Sequence, residues 1–376
     1  MPDVHKIAVL RANGLGDFIF ALPALDALRR GYPDAEIVLL GAPWHARFLT
    51  GRPGPVDRVV ELPPLPGIRQ ARPGEPTGDP GELLAALRAE RFDLALQLHG
   101  GGRYSNPLVA SLGARITAGL RAPDAPPLDH CIPYVYYQPE VFRYLEVVGL
   151  VGAPAVTYRP SLALTDDDRK EAAAVVPGDR RELAGRRGQH RRELAGRRGQ
   201  QRRLVALHPG ATDERRRWPA GRFAAVGDAL AASGAEILVT GTAPERAAVD
   251  AVTGAMHHPV RPLVDELSLG GLAALYARCA LVVANDTGPV HLAAAVGAPT
   301  VGIYWVGNFM NGAPVDRTRH RPLVSWTLNC PECGLDCTRD LYPARGGGSG
   351  CDHSPSFVAD IPTVEVVDAA VQLLAQ

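Results

Sequence analysis

The feature that most restricts the fold is a rhythm of short apolar runs, each closed by turn residues and separated by helical spacing, which occurs twice along the chain. In the first stretch, residues 6–10 (KIAVL), 36–40 (EIVLL), 57–62 and 93–98 read as strands. Phe18, Leu22, Leu25 and Leu28 recur at helical spacing between the first two, with Pro23 expected to start a new turn or to kink this helix. The second stretch repeats the scheme with strands at 204–207, 236–240, 281–284 and 300–304. Helices are expected to start near Pro219, Leu269 and Pro289, with Gly234 and Gly297 as stops. Strand–helix–strand order in both halves predicts an α/β protein with two doubly wound, Rossmann-like domains facing one another. With 376 residues, 46% of them hydrophobic, the chain can fill two cores of about 150 residues each.

No apolar run approaches the roughly 18 residues that a membrane span requires, and the N-terminal MPDVHKIAVLRANGLGD lacks the pattern of a signal peptide. A cytoplasmic protein is the expectation. The formal net charge is zero, yet residues 180–203 hold 10 of the 40 basic residues and only two acidic ones, leaving the remainder at a net of about −8. An acidic body argues against nucleic acid as partner. The basic segment contains a tandem repeat, RRELAGRRGQH at 180–190 followed by RRELAGRRGQQ at 191–201. Arginine pairs among glycines cannot bury enough surface to order themselves, which favours a solvated linker over a basic tether.

Three motifs carry possible chemistry. The first, R11-A-N-G-L-G-D17, follows the first strand; Gly14 and Gly16 allow close backbone approach, and Asp17 suits either an N-cap or a base facing the cleft. It is not the GxGxxG fingerprint, because Asp17 stands where that loop needs spacers and a third glycine. The second is H208-P-G-A-T-D-E-R-R-R-W-P219, whose arginines at 215–217 would lie at the mouth of the second sheet, suited to a diphosphate. The third, N285-D-T-G-P-V-H291, leads a strand into a helix start. Thr287 and Gly288 would present free amides to phosphate oxygens there, while Asp286 and His291 are read equally as a cap and a packing residue.

Together with the order GLGD17, HPG…RRRWP…RF and NDTGPVHLAAAVGAPTVGIY, these motifs resemble glycosyltransferase family 9, the ADP-heptose heptosyltransferases of lipopolysaccharide core assembly. The resemblance implies a GT-B fold, with the acceptor on the N-terminal domain and the nucleotide sugar on the C-terminal one. It implies Asp17 as general base, and Asp286, Thr287, Gly288 and His291 around the donor diphosphate and sugar. Arg216 stands where the family usually has lysine, which keeps the charge but changes its reach. Arg103, in the glycine loop LHGGGRYS, becomes a candidate for an acidic acceptor group such as Kdo. No metal is expected for catalysis, and one carboxylate opposite the leaving group implies a single displacement with inversion. The expected partners are a nucleotide sugar and a glycan or glycolipid acceptor, with the enzyme peripheral at the inner membrane face if that acceptor is lipid-linked.

The expected division is an N-terminal domain over 1–165, a disordered linker over 166–203, a C-terminal domain over 204–362, and a last helix over 363–376 packing back toward the first domain. Cys330, Cys333, Cys337 and Cys351, between 330 and 353, suit structural zinc, an iron–sulfur cluster or free thiols. Two other functional readings stay open: a sugar-nucleotide epimerase or hydrolase, which needs further acid and base groups, and a non-catalytic binder in which Asp17 only caps.

Overall fold

The computed structural model describes residues 3–71, 74–75, 80–176, 203–338 and 351–376. In the N-terminal lobe the strands are β1 (Lys6–Leu10), β2 (Glu36–Gly41), β3 (Arg58–Glu61), β4 (Leu94–Gln97), β5 (Ile116–Arg121) and β6 (His130–Pro133). Its helices are α1 (Leu15–Gly31), α2 (Pro43–Leu49), α3 (Gly81–Ala89), α4 (Ser105–Ser111), α5 (Glu140–Leu150) and α6 (Asp166–Val175). The C-terminal lobe alternates β7 (Arg203–His208), α7 (Ala220–Ala232), β8 (Ala235–Gly241), α8 (Arg246–Ala255), β9 (Val260–Val264), α9 (Leu269–Arg278) and β10 (Leu281–Asn285). It continues through α10 (Gly288–Ala295), β11 (Thr300–Trp305), α11 (Val306–Gly312), β12 (His320–Ser325) and α12 (Thr363–Leu374).

Both sheets are parallel and six-stranded, ordered β3-β2-β1-β4-β5-β6 and β9-β8-β7-β10-β11-β12. This 3-2-1-4-5-6 order puts the switch point between β1 and β4 in one lobe and between β7 and β10 in the other, where open α/β sheets bind ligands. The central strands β4 and β10 are buried at every residue, as helices covering both faces require. Edge strands β9 and β12 contain Pro262 and Pro322, tolerated where one side of the ladder needs no partner. Helix α1 continues through Pro23 rather than restarting there. Gly234 and Gly297 follow α7 and α10 with φ of +92° and +84°, the left-handed geometry of a helix stop.

Two expected boundaries need correction. Residues 166–175, assigned to a disordered linker, form α6, because Thr165 and Asp168 build a reciprocal cap in which Asp168 N donates to Thr165 Oγ1 (3.1 Å) and Thr165 N to Asp168 Oδ2 (2.8 Å). Arg52 of the N-terminal lobe holds the same carboxylate at 2.6 Å, and Glu171 accepts from Ser268 at the start of α9, so α6 bridges the lobes. The tandem repeat lies outside the described residues. The last helix, α12, does not reach back: Val366, Ala369, Ala370 and Leu373 form one apolar face that packs with Trp218, Phe223 and Trp305 in the core of its own lobe.

The lobes also meet directly, α1 against α10. A Cβ placed on Gly16 would lie 3.0 Å from the His291 ring, and one on Gly288 would lie 2.9 Å from Leu15 Cβ. Each helix start therefore fits a side chain of the other against bare backbone.

Candidate active site

The carboxyl ends of both sheets open onto one cavity of about 680 Å³ between the lobes. Gly14, Gly16, Asp17, Arg216, Asp286, Thr287, Gly288 and His291 all line it, so the three motifs converge although some 200 residues separate the first from the second.

On the N-terminal side, Gly14 rather than Asp17 caps α1. Asp17 occupies the third helical position and its Oδ2 accepts from Gly14 N at 3.2 Å, because the glycine has no side chain to cap with. Its Oδ1 accepts from Arg11 Nη2 at 2.9 Å. Arg11 is buried, with Nε donating to the Asp17 carbonyl and its guanidinium 4.7 Å from the centre of the Tyr144 ring. The carboxylate is thus anchored from behind while 42% of the side chain stays open to the cavity. Glu140, at the start of α5, stands 3.7 Å from Arg11 Nη2; burial raises its pKa against the pull of Arg143 and Arg11.

Across the cavity, the buried Asn285 side chain ties down the arginine loop by accepting from Trp218 N (3.1 Å) and donating to the Pro209 carbonyl (2.8 Å). The loop separates its three cations. Arg215 pairs with Asp213 and Arg217 with Glu214, whereas Arg216 turns inward, donates to the Asp286 carbonyl at 3.2 Å and keeps its buried Nε without a partner among the described residues. Thr287 leads into α10 with extended backbone, and together with Gly288 it lines the cavity at the positive end of that helix. Asp286 Oδ1 lies 3.2 Å from His291 Nε2, and the His291 ring packs edge-on against Phe20.

The far end of the cavity is acidic. Burial opposes ionisation of Glu245, but the His208 ring 3.6 Å away and hydrogen bonds from Thr242 N and Oγ1 outweigh it and bring its pKa down to about 2. Asp265 and Glu266 line the same end.

Arg103 lies outside this lining, half exposed and 3.5 Å from Asp124. The expected cysteine set also changes. The grouped ligand atoms belong to Cys330, Cys333, Cys351 and His353, all within 4.8 Å of one another, whereas Cys337 is buried in the C-terminal core with its Sγ near the Leu335 carbonyl. Spacing could not separate Cys337 from His353 across the intervening chain. Arg11, Tyr134, Tyr136, Glu140 and Glu245 line or support the cavity without having been singled out. Of these, only Glu245 carries a usable signal, an acidic side chain just beyond the second strand of its lobe, where nucleotide-binding sheets place a ribose acceptor.

Comparison with known proteins agrees with this layout. Residues 81–325 match the glycosyltransferase family 9 (heptosyltransferase) description. The chain is 26% identical to lipopolysaccharide heptosyltransferase 3 of Escherichia coli over 370 residues, covering 96% of each protein. It is 30% identical to lipopolysaccharide heptosyltransferase 2 of Salmonella typhimurium over 320 residues, 80% of this chain and 82% of that one. The structure of E. coli ADP-heptose lipopolysaccharide heptosyltransferase II superposes with a TM-score of 0.69 at 20% identity, covering 99% of both chains, which gives the two lobes the GT-B fold. Motif order, cavity and sequence kinship converge: the chain belongs to glycosyltransferase family 9 and is a glycosyltransferase.

Proposed function

We propose that the protein transfers a heptose from ADP-heptose to a hydroxyl of a lipopolysaccharide-core-like acceptor, with inversion and without a catalytic metal. One observation carries this reading: Asp17, fixed by Arg11 and Gly14, faces the α10 start and Arg216 across a single cavity. The diphosphate lies against the amides of Thr287 and Gly288 with Arg216 beside it, where fixed dipoles and a cation offset the charge that grows as the anomeric bond breaks. Asp17 takes the proton from the acceptor hydroxyl as that oxygen attacks the opposite face of the anomeric carbon. Glu245, held ionised at neutral pH, accepts from the ribose hydroxyls. His291, aligned by Asp286, faces the sugar.

An acceptor that extends beyond the cavity meets Arg103, which exchanges Asp124 for an anionic group of the glycan. No described helix is long and apolar enough to cross a membrane, and a lipid-linked acceptor would be met at the cytoplasmic face. The test is a panel of ADP-, GDP- and UDP-sugars with wild-type and Asp17→Asn enzyme, with no divalent cation added. Turnover of ADP-heptose that Mg²⁺ does not raise, and that is lost in the variant with ADP binding kept, supports the reading. Product released from the donor without acceptor would favour a hydrolase or epimerase instead.

Cys330, Cys333, Cys351 and His353 are proposed to hold a structural zinc. Tetrahedral zinc with bonds of ~2.3 Å spaces its sulfurs about 3.8 Å apart. Cys333 Sγ lies 3.6 Å from Cys351 Sγ, and Cys351 Sγ lies 3.5 Å from His353 Nδ1. Glu332 stands 3.6 Å from the other ring nitrogen of His353, the usual place for a carboxylate that orients a ligating imidazole.

A further inference from the structure

We infer that metal occupancy of the Cys330–Cys333–Cys351–His353 cluster sets donor affinity, because the chain segment carrying two of its ligands is also the outer wall of the arginine loop. The inference rests on the zinc reading above. Three residues beyond His353, Ser356 Oγ donates to the Arg217 carbonyl at 2.6 Å, and Phe357 N donates to the Arg215 carbonyl at 2.7 Å. These bonds grip the two residues that flank Arg216, the cation that enters the cavity. The Phe357 ring lies beneath the Arg215 guanidinium at 5.7 Å and packs against Trp305, while Ser325 Oγ donates to the Phe357 carbonyl. Further along, the Ile361 carbonyl accepts from Trp218 Nε1 (3.0 Å) and Arg222 (2.6 Å). Residues 356–361 are therefore stitched along the loop and helix start at 215–222.

The other limb of the cluster reaches the opposite lobe. Thr338 follows Cys337, and its carbonyl accepts from Tyr137 Oη at 2.6 Å. Tyr137 sits between Tyr136 and Glu140, both of which line the cavity on the acceptor side. A metal joining Cys330 and Cys333 to Cys351 and His353 thus ties a strap that touches the donor loop at one end and the acceptor wall at the other. Without it, residues 351–353 lose their anchor, Ser356 and Phe357 hold the loop less firmly, and Arg216 must be ordered when the diphosphate binds.

Metal content of the purified enzyme is measured by plasma mass spectrometry, and ADP binding by calorimetry before and after chelation, with circular dichroism to follow the fold. About one zinc per chain and a roughly tenfold weaker ADP Kd in the metal-free protein, reversed by zinc, are expected from loosening two hydrogen bonds. Ser356→Ala keeps the metal ligands and should weaken ADP about threefold with the metal retained, from one lost bond. This variant decides the matter if the metal-free protein unfolds. Stoichiometric metal with ADP affinity unchanged both after chelation and in Ser356→Ala overturns the coupling and leaves the zinc reading standing. A protein that neither contains nor takes up zinc overturns the zinc reading itself.

Discussion

The two lobes share one strand order and differ in what their loops bring to the cleft. After β1 the N-terminal lobe presents a carboxylate, Asp17, backed by a buried arginine. After β7 and β10 the C-terminal lobe presents Arg216 and the open start of α10. In the proposed reaction the same scaffold supplies a proton acceptor from one side and anion stabilisation from the other. The sheets fix where chemistry occurs, and a few loop residues fix its sign.

The sharpest way to break this division is to neutralise one side. Asp17→Asn should lower kcat by about 10³-fold, within the usual range for a positioned general base, while calorimetric ADP affinity stays near wild type. A loss of ADP binding would place Asp17 on the donor side.

Acidification should separate the lobes next. Burial drives the pKa of His45 and His99, both in the N-terminal lobe, down to about 3, whereas His320 in the C-terminal lobe falls to about 4. Below pH 6.5 the unfolded chain takes up protons that these folded histidines refuse. Each therefore removes about 1.4 kcal/mol of stability per pH unit as pH falls toward its folded pKa, and the full contribution is present above 6.5. Hydrogen exchange at pH 5 should show β1 and β4 losing protection ahead of β7 and β10; equal loss would contradict the assignment.

Removing the C-terminal cation, Arg216→Ala, should lower kcat/KM for the donor by about 30-fold, as expected for a charge-assisted contact, with most of the loss in donor affinity. An effect confined to acceptor KM would reverse the roles given to the lobes. Smaller still, Gly288→Ala puts a methyl 2.9 Å from Leu15 Cβ and should reduce kcat about tenfold through an overpacked lobe contact. Unchanged kcat would show that this contact does not set the reacting distance.

Much of this arrangement was legible from residues alone, for physical reasons. Strands β1, β2, β4, β7, β8, β10 and β11 read clearly because helices bury both sheet faces and force continuous apolar runs. Edge strands such as β6 (HCIP) and β9 (VRPLV) face solvent on one side and carry proline, so their pattern fades. Helix α6 was hidden by composition: DDDRKEAAAV is polar enough to pass for linker, and beyond its local Thr165–Asp168 cap it is held by contacts with Arg52 and Ser268 that no local pattern encodes. Asp17, Arg216 and the Asp286–His291 block were readable because each sits at a strand end inside a compact motif. Glu140 enters from a helix start more than 120 residues along the chain from Asp17, and its place beside Arg11 is a property of the folded sheet.

The reciprocal contact of Gly16 with His291 and of Gly288 with Leu15 has a bearing on which sugars the enzyme accepts. Where long side chains line a gap, a bulkier guest can be admitted by swinging a rotamer aside. Here each contact seats a side chain against bare glycine backbone that has no rotamer to swing, so in the proposed reaction an oversized sugar would be accommodated by moving an entire lobe or refused. Under the proposed reaction, donor choice at this point would work as a gauge of fixed bore.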